Sequence, residues 1–149
     1  MSTDVAVERR IERPREEVAA YASDWRNDEE WIGALDEVRL VQEEPLQVAR
    51  VAGFLGKRIE YVNEVVEHEP GRRLVMRSVK APFPMTVTYE FEDAGNGGSV
   101  MRIRTQGDAS GFYRVAGPLL ARAVKRGLER DLATLKERLE GGPRAAAPV

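Results

Sequence analysis

Apolar and polar residues alternate along the middle of the chain, and apolar residues recur at helical spacing in two short stretches before it and one long stretch after it. Val5, Val7 and Ile11 mark one face of a first strand over Asp4 to Glu12, although Arg9 interrupts that face. Pro14 suits the first position of a helix, and Glu16 and Glu17 follow in the first turn, where carboxylates complement the helix dipole. Val18, Tyr21 and Ala22 give this helix a short apolar stripe. A second short helical stretch, around Asp28 to Leu35, sets Trp31, Ile32 and Leu35 on one side. From Val38 to Asp108 the period is two, broken by turn signals at Glu44-Pro45, Gly56-Lys57, Pro70-Gly71, Pro82 to Pro84 and Gly95 to Gly98. About six further strands follow from those breaks, joined as antiparallel hairpins. In the clearest of them Met85, Val87, Tyr89 and Phe91 share one face, with Thr86, Thr88, Glu90 and Glu92 on the other. Its partner, Ser99 to Gln106, sets Met101 and Ile103 against Arg102 and Arg104, and these arginines are expected to pair across strands with Glu90 and Glu92.

The longest helical signal runs from Phe112 to Leu139 through Val115, Leu119, Leu120, Val124, Leu128, Leu132 and Leu135, an apolar stripe of about seven turns. Arg114, Arg122, Lys125, Arg126 and Arg130 take much of the opposite side. Gly117-Pro118 is expected to break or kink the first turns, and Gly141-Gly142-Pro143 to end the helix. Residues 4–140 therefore read as one domain, and 141–149 as a disordered tail. A sheet with one apolar face must bury it, and the only element long enough to do so is the last helix. The pattern predicts an α+β architecture: a curved antiparallel sheet of about seven strands around a long C-terminal helix, with two short helices after the first strand.

Composition narrows the functions available. The 149 residues are enough for one sizeable core. The 23 basic and 25 acidic side chains nearly cancel to a net charge of -2, so no overall field draws in nucleic acid, and none is expected as a partner. There is no cysteine and one histidine, which removes disulfides, thiolate chemistry and histidine-rich metal sites; no metal and no cofactor is expected. The first ten residues carry no apolar run of signal-peptide length and no segment is long enough to span a bilayer, so a cytoplasmic location is the expectation.

Several short motifs bear on the family. They are Ile11-Glu12-Arg13-Pro14 with Val18, Ser23-Asp24 followed by Trp31, Glu69-Pro70-Gly71-Arg72-Arg73-Leu74, and Gly117-Pro118-Leu119-Leu120 with Gly127-Leu128. In their order and spacing the chain resembles the SRPBCC or START-like helix-grip superfamily, in particular its polyketide cyclase/dehydrase and lipid-transport branch. The resemblance implies a ligand cavity between the sheet and the last helix. Its lining is then expected from Trp31 and Leu35 at one end, from Tyr61, Asn63, Met76, Met85, Val87, Tyr89, Met101 and Ile103 on the strands, and from Phe112, Ala116 and Leu120 on the last helix. Methionines give such a wall an adaptable surface. Small residues, Ala121, Ala123 and Gly127 among them, keep the helix thin, which leaves room for a ligand or lets helix and sheet approach closely.

Three functions are compatible with this reading. The first is binding or carriage of a small hydrophobic ligand such as a lipid, quinone or polyketide-like compound. The second is a cyclase or dehydratase, for which Tyr89, Tyr61 and Asn63 are the candidate polar groups. The third is a protein-interaction module, since relatives of this fold include chaperone activators. Arg77 suits a carboxylate or phosphate anchor only if it faces inward, and its strand has apolar residues at both parities, leaving that open. His68 beside Glu69-Pro70-Gly71 reads as a solvated turn residue. The basic side of the last helix leaves peripheral contact with anionic membranes open, and the chain is expected as a monomer or homodimer.

Overall fold

The computed structural model describes the backbone of residues 2–146 and the side chains up to residue 141. Nine-residue β1 (Thr3–Ile11) is followed by α1 (Arg15–Ala22), a 3-10 turn (Trp25–Asn27) and α2 (Asp28–Trp31). Six strands then run in succession: β2 (Leu35–Glu43), β3 (Leu46–Phe54), β4 (Lys57–Glu69), β5 (Arg73–Lys80), β6 (Met85–Gly95) and β7 (Gly98–Gly107). The one-turn α3 (Ser110–Tyr113) and the long α4 (Gly117–Ala146) complete the chain.

All strand pairs are antiparallel, and the described residues form one seven-stranded sheet in the order β1-β7-β6-β5-β4-β3-β2. Each expected turn signal falls at the junction of two strands, with Lys57, Gly95 and Gly98 as strand-end residues. At Pro70-Gly71 the glycine has φ +80°, a conformation open to Gly because it has no Cβ. The β3–β4 hairpin turns on Leu55 and Gly56 with φ of 49° and 79°, the mirror-image turn that matches strand twist. The first strand closes the meander by pairing with the last, Val7 opposite Ile103.

Burial follows the period of two where one face is wet. On β7 Met101 and Ile103 are buried while Arg102 and Arg104 are exposed. In the β6–β7 register Arg102 stands opposite Glu90 as expected, but the ion pairs on this face run to other strands. Arg104 instead bonds Asp4 on β1 at 2.6 Å, and Glu90 bonds Arg73 on β5 at 2.5 Å. The sequence pattern placed the right face outward, but the neighbours depend on which strands flank β6 and β7.

The terminal helix differs from the sequence reading at both ends. Phe112 and Tyr113 belong to α3, Arg114 takes a left-handed conformation with φ 57°, and α4 begins only at Gly117, with Pro118 in its first turn. At the other end helical backbone continues past Gly141-Gly142-Pro143 to Ala146, and of the expected tail residues 147–149 lie outside the described residues. The second short helix is also shorter than expected: α2 ends at Trp31, and Leu35 opens β2 as a half-buried strand residue.

Two separate apolar clusters result. The main one joins Ile11, Val18, Trp31, Leu74, Met76, Tyr89, Phe91, Met101 and Ile103 to Leu132, Leu135 and Leu139 on the C-terminal half of α4. The smaller one gathers Ala109, Tyr113 and Leu120 with Phe54, Phe83, Phe112, Val115 and Val124 around its N-terminal half. One helix thus serves two cores, and the space between them is where a cavity lies.

Candidate ligand-binding site

The cavity, about 220 Å³, is bounded by residues of both clusters: Val87 and Leu128 from the side of the main core, and Phe54, Phe83, Ala109, Tyr113, Leu120 and Val124 from the other. Ala52, Ile59, Tyr61 and Met85 supply its sheet wall, and Thr3, Thr105 and Gly107 the β1–β7 side. One side of it is lined by packed aromatic rings, with Phe54 and Tyr113 edge to face at 5.4 Å and Phe83 and Phe112 tilted at 5.4 Å. Phe112 in turn lies under the Lys57 ammonium, 4.8 Å from the ring centre.

Ala34, Phe54, Gly127 and Asp131 line both this cavity and an outer cleft that adds Gly33, Gly53, Leu55, Ala123, Arg126, Arg130 and Thr134. The mouth therefore lies between the β3–β4 hairpin and the middle of α4. Asp131 Oδ1 accepts the Gly33 backbone N–H at 3.0 Å, tying α4 to the α2–β2 connection beside the opening. Burial pushes the Asp131 carboxyl up to about 6, against the pull of the Gly33 N–H and of Arg130.

Apart from the cavity lining, the interior holds a buried ion pair between β3 and α2. Arg50 and Asp28 are 7% and 2% exposed, and Arg50 donates Nε and Nη2 to Asp28 Oδ2 at 2.9 and 2.7 Å. Burial works against both charges. Arg50 is nevertheless held above its usual value by Asp28, Tyr61 and Tyr89, while Asp28 lies above the usual carboxylate range because burial outweighs its attraction to Arg50. Arg50 Nη1, Asn63 Oδ1 and Trp31 Nε1 are buried without a hydrogen-bond partner. Tyr61 stands directly across from Arg50 in the β3–β4 register. Burial raises both the Tyr61 and Tyr89 phenols, so they remain neutral O–H groups rather than bases.

The residues expected to line a cavity divide between several places. Tyr61, Met85, Val87 and Leu120 line it. Trp31, Met76, Tyr89, Met101 and Ile103 pack in the main core, where Trp31 and Tyr89 rings lie 5.8 Å apart, and Asn63 is buried on β4. Phe112 supports the aromatic side, Leu35 is half-buried on β2, and Ala116 is exposed just before α4. Arg77 points outward and is exposed, so it is no internal anchor; Ser78 beside it faces in and accepts the Met85 N–H at 3.0 Å. His68 is exposed.

Sequence reasoning missed Arg50, Asp28 and Asp131. A signal existed for Arg50, a lone charge in Val48 to Gly53, where residues of both parities are otherwise apolar. None distinguished Asp28 from Glu29 and Glu30. Among the described residues no group of acidic or histidine side chains could hold a metal ion, and no helix is long and apolar enough to cross a membrane.

Comparison with solved structures places the fold. A protein from Thermus thermophilus is 22% identical with a TM-score of 0.79, over 93% of this chain and 98% of that one. A START superfamily protein from Mycobacterium smegmatis is 13% identical with a TM-score of 0.80, over 93% and 97% of the two chains. The Zhui aromatase/cyclase from a Streptomyces species is 15% identical with a TM-score of 0.75, over 93% and 96%. No curated protein matches the sequence significantly. The sequence itself matches the family described as polyketide cyclase / dehydrase and lipid transport over residues 2–140. With that match across nearly its whole length, the chain belongs to the polyketide cyclase / dehydrase and lipid transport family.

Proposed function

We propose that this protein binds and carries a small hydrophobic molecule in the cavity between the sheet and α4. The observation that carries the reading is the division of the apolar interior into two clusters around a cavity of about 220 Å³. At ~24 cal/mol per Å³, a closed and empty void of that size costs at most roughly 5 kcal/mol, and this cavity, open at its mouth, costs less because water enters it. A bound apolar molecule recovers much of that cost. The family supports the same reading, since its description couples cyclisation with lipid transport.

The test is native mass spectrometry of the purified protein together with thermal denaturation against a panel of lipids, quinones and polycyclic aromatics. A ligand at a hundred times its Kd stabilises by about 2.7 kcal/mol. For a chain of this size that raises Tm by roughly 5–10 °C. Absence of both a co-purified mass and any shift across the panel counts against the proposal.

A cyclase or dehydratase reading has one specific observation in its favour. Asp131 lines the cavity with its carboxyl pushed up to about 6, the range in which a group can both accept and return a proton near neutral pH. The neutral Tyr61 phenol, on the sheet wall of the same cavity, is a hydrogen-bond donor for a carbonyl or enolate oxygen. Under this reading Asp131→Asn abolishes turnover of a poly-β-ketone substrate while leaving its binding within a few-fold, and Tyr61→Phe lowers kcat more than it raises KM. The interaction-module reading requires a filled core, and the cavity argues against it.

A further inference from the structure

Positive charge gathers at one end of a chain whose net charge is -2. Residues 53–58 and 109–128 hold six basic side chains, Lys57, Arg58, Arg114, Arg122, Lys125 and Arg126, and no acidic one. All six are exposed. Folding brings the two segments together: the Lys57 ammonium lies over the Phe112 ring, and Leu55, Ala123, Arg126 and Arg130 border one cleft at the mouth of the cavity. Arg58 reaches Asp36 and Glu37 at 3.8 Å, but no ion pair among the described residues uses any of the other five. Asp108 and Glu129 bound the second segment, and Asp131 is engaged by the Gly33 N–H.

Two exposed leucines lie among these cations, Leu119 at 58% and Leu55 at 46%. Leu119, Arg122 and Arg126 share the solvent side of α4, opposite the buried Leu120, Leu132 and Leu135. Leu55 carries a local cost as well as its exposure. It holds φ 49° ahead of Gly56 at 79°, a conformation that disfavours bulky side chains and suits Asn-Gly. The β6–β7 turn of the same chain has that pair, Asn96-Gly97, at φ 55° and 77°. The hairpin beside the cavity mouth thus keeps an exposed leucine where its backbone favours asparagine.

We propose that this end of the molecule docks on an anionic bilayer surface, with Leu55 and Leu119 entering the acyl boundary and the five unpaired cations meeting lipid phosphates. Apolar side chains ringed by cations match a membrane interface, which is apolar beneath a layer of negative charge. A polyanion such as a nucleic acid uses the cations and leaves the leucines in water. Docked in this way, the cavity mouth faces the lipid. The docking stands whether or not the cavity carries a ligand.

The test is co-sedimentation of the full chain at low salt with phosphatidylcholine vesicles, with and without 30 mol% phosphatidylglycerol. Binding should be at least tenfold stronger to the anionic vesicles. Removing two cations with Arg122→Gln/Arg126→Gln should weaken it roughly thirtyfold. Removing two from the outer face of the sheet with Arg77→Gln/Arg102→Gln should weaken it less than about threefold. Leu55→Asn should hold or raise Tm while weakening vesicle binding about tenfold. Should Leu55→Asn fail to fold, Leu119→Gln at the exposed helix position carries the same binding expectation. Absence of any preference for anionic vesicles overturns the proposal and leaves ligand binding untouched. Equal losses from the two arginine pairs overturn it too, since charge anywhere on the surface would then serve. A folded leucine variant that binds like wild type, with duplex DNA competing against the vesicles, shows a patch for polyanions in general and overturns it as well.

Discussion

Replacing Gly127 by alanine should stabilise the protein, and replacing it by leucine should weaken ligand binding. Gly127 lies in the interior of the 30-residue helix α4, where glycine is roughly 1 kcal/mol less favourable than alanine. A Cβ added there meets nothing nearer than the Arg130 guanidinium, Nη2 at 4.0 Å, so the substitution brings no clash to offset the gain. Gly127→Ala should therefore add about 1 kcal/mol, raising Tm by about 2–4 °C in a domain of this size. The reason for keeping a glycine lies in what surrounds it: Gly127 lines both the cavity and the outer cleft at the shared mouth. Helical side chains lean toward the N-terminus, so a leucine at 127 would lie over the Ala123–Val124 side of that opening. Gly127→Leu should keep or raise Tm while lowering affinity for an apolar ligand at least tenfold. Urea denaturation of both variants and calorimetry with the best ligand from the thermal panel check this directly. A destabilised Gly127→Ala shows that the space at 127 is not open; unchanged affinity in a folded Gly127→Leu shows that the cavity and its mouth are not the binding site.

Other expectations address the same interior. Arg50→Met leaves Asp28 buried and unpaired and should cost about 3–5 kcal/mol in urea denaturation, most of it recovered in Arg50→Met/Asp28→Leu; additive losses in the double variant would contradict a buried pair. Because burial lifts Asp131 from 3.8 to about 6, the folded state holds its proton over a range where the unfolded chain has lost it. Its contribution to stability therefore falls as pH rises from about 4 through about 6, and Asp131→Asn should flatten the curve over that window in a denaturation series. Leu135→Ala, at a fully buried position of α4, should cost about 2–5 kcal/mol, whereas Leu119→Ala, 58% exposed on the same helix, should change stability by less than about 0.5 kcal/mol. Equal effects would show that the two leucines do not differ in packing.

Much of the sheet was legible from the sequence because its information is local. Alternation in Met85 to Glu92 and Ser99 to Gln106 assigned the inner face, and Pro-Gly and Gly-rich breaks located the turns. The Gly117-Pro118 break was legible for the same reason: proline lacks the N–H that a continuous helix needs. What the pattern assigned poorly were positions where a distant partner decides. Arg104 was expected to pair with an acid on β6 and finds Asp4 on β1 instead, because β1 returns to the far side of β7. Helical backbone passes Gly141-Gly142-Pro143, where glycine and proline preferences favoured a stop.

The site shows the same division. Sequence by itself determined that one long helix must cover one apolar sheet, that the chain's ordered motifs resemble those of the helix-grip superfamily, and that its chemistry excludes cysteine and histidine-rich metal sites. Only the tertiary structure decided that the helix serves two apolar clusters with a cavity between them. Only it joined Arg50 to Asp28 across 22 residues and Asp131 to Gly33 across 98. The physical reason is that a charged residue reads as surface until a counter-charge is brought beside it, and burial of that kind is a property of chain crossings rather than of any local window.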